Sequence, residues 1–172
     1  MFIGHQKIKK YFEQAIGKNQ LAQCYLFVGP ESVGKFTLAQ WIAKNLLNSK
    51  ESKLEISNHP DFLLIKPEIK QNKSAFKKKQ SSPKNTNPII SIDQVRELKR
   101  KFFLSSFGGG RKVAVIDKID RLTMVGQNTC LKLLEELDAQ KNIIILTTSS
   151  FSSVLPTIIS RCQVINFGLV SR

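Results

Sequence analysis

A short apolar run, Cys24–Val28 (CYLFV), passes straight into a loop with a glycine near each end, Gly29–Lys35 (GPESVGK). That loop leads into a segment with apolar residues at helical spacing: Leu38, Trp41, Ile42 and Leu46. Strand, glycine loop and helix in that order leave few folds open. Glycines let backbone N–H groups turn toward a phosphate, the N-terminus of the following helix favours negative charge, and Lys35 has the reach for β- and γ-phosphates. The plainer reading is a chance glycine turn before a helix. The strand before and the helix after are what a phosphate-binding loop requires and a chance turn does not.

The pattern breaks at its last position. Ser or Thr is expected after the lysine, because its hydroxyl ligates the Mg²⁺ that bridges the phosphates; this chain has Phe36. Thr37 lies one residue on, about 100° around the helix. A second apolar run, Val113–Asp117 (VAVID), ends in a carboxylate where open α/β sheets bind their ligands. Asp117 alone reads better as a carboxylate closing a strand at a turn, and it is Lys35 upstream that favours the functional reading. The residue after it, where an ATPase needs a base for the attacking water, is Lys118, and a cation cannot serve as that base. Phe36 and Lys118 independently point away from hydrolysis.

The remaining chain predicts an amphipathic helix over 5–17, carrying Ile8, Tyr11, Phe12, Ala15 and Ile16 and ended by Gly17. It also predicts strands at Asp61–Ile65, Asn142–Thr148 and Val164–Phe167. Ser91 with Gln94 has the spacing of a capping box, opening a helix through Ile92, Val95, Leu98, Phe102 and Phe103 toward Ser105, with Gly108–Gly110 beyond it. Thr129–Leu137 is helical in pattern. Buried apolar strands alternating with helices predict a three-layer α/β fold with a parallel sheet between helices. The 172 residues suit one domain spanning 1–172.

Charge is unevenly placed. The chain carries +14 overall, and residues 66–112 hold 13 of its 27 lysines and arginines against three carboxylates, Glu68, Asp93 and Glu97. Pro83, Pro88 and the polar run 80–87 interrupt that stretch, so a basic, solvated insertion is expected at about 66–88. It serves solubility or touches a nucleic-acid backbone, since charge alone gives sequence-independent phosphate binding. The three cysteines, Cys24, Cys130 and Cys162, are widely spaced among apolar residues, and reduced thiols are expected rather than bridges or a zinc site. With no run of about 18 apolar residues and no secretory pattern at the N-terminus, a cytoplasmic location and no membrane partner are expected.

Reading on from the phosphate loop, VAVIDKIDRLT, NTCLKLLEEL, IIILTTSS, LPTIISRCQVINF and the opening FIGHQKIK resemble the AAA+ core of bacterial clamp-loader subunits over nearly the whole chain. Only about 66–88 lies outside the resemblance. A degraded phosphate loop beside an intact Ser160-Arg161-Cys162 element is most similar to the delta-prime branch of the DNA polymerase III clamp loader. The resemblance implies a P-loop NTPase (AAA+, RecA-like) fold and a non-catalytic subunit that supports loading of the sliding clamp onto primed DNA. It implies that Arg161 reaches the ATP site of a neighbouring subunit, where a guanidinium stabilises charge developing on the γ-phosphate; the structural alternative is a surface arginine paired with a carboxylate. Gly29, Gly34, Lys35, Thr37, Asp117 and Thr147 are then expected to form at most a weak ATP or ADP site, with no required cofactor and no metal. Thr147 and Thr148 fall where the family places a polar sensor residue, though threonine also simply suits strands. His5 falls near the family's adenine site or is an ordinary surface histidine.

The implied partners are clamp-loader subunits of the gamma/tau and delta types, with clamp and primed DNA reached through the complex. The family's four-cysteine zinc module has no counterpart between Cys24 and Cys130, so no structural zinc is expected; its lid and collar domains are expected to be absent from this chain. Two other functions remain open from the residues: an active AAA+ ATPase in which Thr37 or water replaces the missing ligand, and a nucleic-acid binder acting through the lysine-rich insertion around Lys77–Lys79.

Overall fold

Five strands lie side by side in the order β2-β3-β4-β1-β5, and every neighbouring pair is parallel. The computed structural model describes residues 5–47, 56–69, 87–106, 110–138 and 141–169. In chain order the elements are α1 (Gln6–Gly17), β1 (Cys24–Val28), α2 (Lys35–Leu46), β2 (Phe62–Ile65), α3 (Ile92–Phe103), β3 (Lys112–Ile116), α4 (Met124–Glu136), β4 (Asn142–Thr148), α5 (Pro156–Ile159) and β5 (Gln163–Asn166).

Side chains of a strand alternate between faces, so each central strand feeds two cores. Tyr25, Phe27, Val113, Val115, Ile143 and Ile145 face α1 and α2, where they meet Phe12, Leu38 and Ile42. Leu26, Ala114, Ile116, Ile144 and Leu146 face α3, α4 and α5, where they meet Val95, Leu98, Leu133 and Ile158. These continuous apolar strands, buried on both sides, make the three-layer α/β arrangement expected of them.

Local chemistry sets the helix starts. The capping box forms reciprocally: the Gln94 N–H donates to Ser91 Oγ at 3.3 Å and the Ser91 N–H donates to Gln94 Oε1 at 2.8 Å. Thr123 caps α4 by accepting the Gly126 N–H at 3.2 Å. That helix begins at Met124, five residues ahead of the expected start, because Met124 and Val125 are 67% and 62% exposed and so give no buried-face rhythm to read. Phe103 and Tyr11 also turn partly outward, at 57% and 37% exposed, despite helical spacing.

The cysteine expectation needs correction. Cys24 and Cys162 are paired as a disulfide, with Cα atoms 4.6 Å apart. The parallel register sets Tyr25 opposite Gln163, which brings the preceding residue of each segment face to face. The 138 residues between them conceal this in the sequence. Cys130 is a free, buried thiol that burial pushes up to about 12.

Near the two ends of the stretch where a basic insertion is expected, Glu68 and Ile89 exchange backbone hydrogen bonds of 2.9 and 3.1 Å, and residues 70–86 lie outside the described residues. Lys77–Lys79 and the Gly108–Gly109 pair lie outside the described residues. No helix among the described residues is long and apolar enough to cross a membrane. In urea unfolding, Ile144→Ala, which hollows the fully buried centre of β4, is expected to cost about 2–5 kcal/mol. Ser91→Ala removes one half of the capping box and is expected to cost about 1 kcal/mol.

Candidate functional site

The C-terminal ends of β1, β3 and β4 open onto a cleft of about 210 Å³, lined by Glu31, Lys35, Thr37, Asp117, Lys118 and Thr147 among others. Three crossovers in a parallel sheet deliver these residues to one edge, the edge where such sheets bind ligands.

Gly29 starts the loop where no other residue fits. Its φ is +154°, and a Cβ built there would stand 2.3 Å from the Phe167 carbonyl oxygen and 2.9 Å from the Phe167 Cβ. Phe167 is held in that place because its N–H donates to the Val28 carbonyl at 2.7 Å, continuing the β1–β5 pairing. Gly34, at φ +94°, turns the chain into α2. Lys35 follows with only 8% of its surface exposed. Its ammonium donates to the carbonyls of Gly29, at 2.6 Å, and Pro30. Burial holds its pKa below the ordinary lysine value, opposed by the carboxylates of Asp117, Glu31 and Asp120.

The two departures from the pattern have structural partners. The Phe36 ring packs toward the α1–α2 core, and the Lys66 ammonium sits 4.2 Å from its centroid. A position that would offer a hydroxyl to Mg²⁺ therefore presents an aromatic face already engaged with a cation. Thr37 lines the cleft but is exposed on the next position of the helix. These residues do not fit a magnesium ion held in the usual manner of such loops. Lys118, at φ +60°, reaches across the cleft to Glu31, Nζ to Oε1 2.9 Å. That hydrogen bond and charge hold the Glu31 carboxyl below its ordinary range.

Asp117 and Thr147 meet at the ends of β3 and β4. The Thr147 hydroxyl donates to Asp117 Oδ1 at 2.7 Å and accepts the Lys118 N–H at 2.9 Å, inside a strand where Thr147 is 1% exposed. Thr148, equally buried, donates to Asp120 Oδ1 at 2.9 Å. His5 does not line this cleft; its ring packs edge-on against Phe167 at 4.8 Å.

Arg161 lies elsewhere, just past α5. Its NH1 donates to the Thr157 carbonyl at 3.2 Å, and its NH2 pairs with Glu135 Oε1 at 2.8 Å. The guanidinium is 43% exposed and does not enter its own chain's cleft. Glu31 and Glu135 were not singled out by sequence, because the pairing of each is with a residue far along the chain.

Over residues 4–170 the chain matches the family model described as DNA polymerase III, delta subunit. It is 28% identical over 174 residues to DNA polymerase III subunit delta' of Bacillus subtilis, covering 94% of this chain and 46% of that protein. To the subunit delta' of Pseudomonas aeruginosa it is 29% identical over 163 residues, covering 88% and 44%. The chain thus spans less than half the length of these relatives. Its structure superposes on a DNA polymerase III gamma subunit-related protein from Thermotoga maritima with a TM-score of 0.67 at 20% identity, over 92% of this chain and 46% of that one. At that identity the likeness shows the fold, the α/β AAA+ core. With a family model covering nearly its whole length and delta' relatives at 28% and 29% identity, the chain belongs to the DNA polymerase III delta-subunit family as a delta-prime-like clamp-loader subunit.

Proposed function

We propose that this chain serves the clamp loader without hydrolysing ATP, supporting placement of the sliding clamp on primed DNA by lending Arg161 to the ATP site of a neighbouring gamma/tau-type subunit. One observation carries the first half: the ion pair between Lys118 and Glu31 spans the cleft where a water-activating carboxylate would act. Lys35 adds to it, since its ammonium is spent on the carbonyls of its own loop rather than left for phosphates. The second half is supported by the exposed guanidinium outside its own cleft. A planar fork of N–H donors placed at a subunit's surface suits phosphate oxygens of another chain.

Within the chain each retained residue has a limited role. Gly29 and Gly34 shape the loop, Thr147 fixes Asp117, and Lys35 closes the loop on itself. Together they leave room for at most weak ATP or ADP binding, in which the lysine ammonium must exchange carbonyl partners for phosphate.

A second reading, an active AAA+ ATPase, draws support from Thr37 lining the same cleft beside Asp117. The two differ in their response to Mg²⁺. Fluorescent-ATP titration of the purified chain is expected to give weak binding that Mg²⁺ does not strengthen, and steady turnover lost on Lys35→Ala would sink the non-catalytic reading. In a reconstituted clamp loader carrying the full-length protein, Arg161→Ala is expected to slow hydrolysis at the neighbouring site, by ~10³ if this guanidinium carries a full arginine-finger effect there. An unchanged rate would remove Arg161 from the reaction.

A further inference from the structure

Two adjacent carboxylates, Glu135 and Glu136, close helix α4, and no basic residue lies in its last turn. The C-terminal end of a helix carries partial negative charge, so that is the less favourable end for them. Each is matched by a cation from another element. Lys99 of α3 reaches Glu136, Nζ to Oε2 2.7 Å, and Arg161 reaches Glu135 at 2.8 Å. The first pair ties one helix to its neighbour. The second engages the guanidinium to which the proposed function assigns work on another subunit.

Arg161 has five N–H donors in a fixed fork. One is used on the Thr157 carbonyl, within its own segment, and one on the Glu135 carboxylate. The Thr157 contact involves no charge on the acceptor. The Glu135 contact is a charge-assisted bond of the same kind that a phosphate oxygen would make. A carboxylate and a phosphate therefore draw on the same guanidinium. With both side chains nearly half exposed, the pair is of the weak, water-screened class, strong enough to bias where Arg161 rests and weak enough to be displaced.

We propose that Glu135 is a positioning residue that holds Arg161 in reserve and competes with the neighbouring subunit's triphosphate for it. This rests on the proposed function of Arg161. A ligand that must first draw a group from a competing partner binds with an apparent affinity reduced by the fraction of that group already available. Glu135 thus raises the ATP concentration at which the neighbouring site engages the arginine.

The test uses the reconstituted clamp loader with the full-length protein, measuring ATPase rate against ATP concentration for wild type, Glu135→Gln, Arg161→Ala and the double variant. Glu135→Gln keeps the side chain's size at an exposed position, and a thermal melt of each variant confirms folding. The expected result is a fall in half-saturating ATP of about two- to fivefold with kcat equal or higher, and no such fall when Arg161→Ala is already present. An unchanged or raised half-saturating concentration overturns the competition. So does a shift of the same size in the Arg161→Ala background, because Glu135 would then act by another route. If Arg161→Ala alone leaves the ATPase curve unaltered, the failure is that of the arginine's assigned function; if Arg161→Ala slows the complex and Glu135→Gln does nothing, only the competition fails.

Discussion

The site depends on strand β1 being paired on both edges, with β4 on one side and β5 on the other. A strand so enclosed can leave the sheet only through the narrow space beyond its end, and there the backbone of Phe167 stands within reach of Gly29. The absence of a side chain at Gly29 is thus demanded by the last strand of the sheet as much as by any phosphate. Loop shape, the position of Lys35 and the start of α2 all follow from that close approach. The sheet therefore requires the glycine whatever the loop binds.

Polar residues at the cleft are ordered by short, mutually dependent contacts. Thr147 is buried in β4 and spends its hydroxyl on both Asp117 and the backbone of Lys118. That contact helps keep Lys118 in its left-handed conformation, from which its side chain reaches Glu31. Lys118 thus adds to the cleft a cation already paired with one of its carboxylates.

What could be read from the residues was whatever a segment decides for itself. Cys24–Val28 is apolar throughout, and Asn142–Thr148 carries the apolar run Ile143–Leu146, because both faces are covered, so strand identity follows from composition. The Ser91–Gln94 box and the glycine loop carry their geometry in a few adjacent residues. Features decided by distant partners were hidden. The disulfide joins residues 138 apart, and the Lys118–Glu31 hydrogen bond spans 87. The opening of α4 was missed for a different reason: Met124 and Val125 bury little, so a capping threonine, and not a hydrophobic rhythm, marks the start. The partner of Arg161 is a carboxylate, as the structural alternative had it, in an exposed ion pair whose other residue lies 26 positions back along the chain.

The paired backbone of Glu68 and Ile89 has a consequence for how such a chain can change over time. Because the two ends of the basic stretch are already fastened to each other, the entropy of closing whatever lies between them grows only slowly with its length. Residues can be gained or lost there while β2 and α3 keep their places. The length and the charge of that one stretch are thus left undictated by the fold.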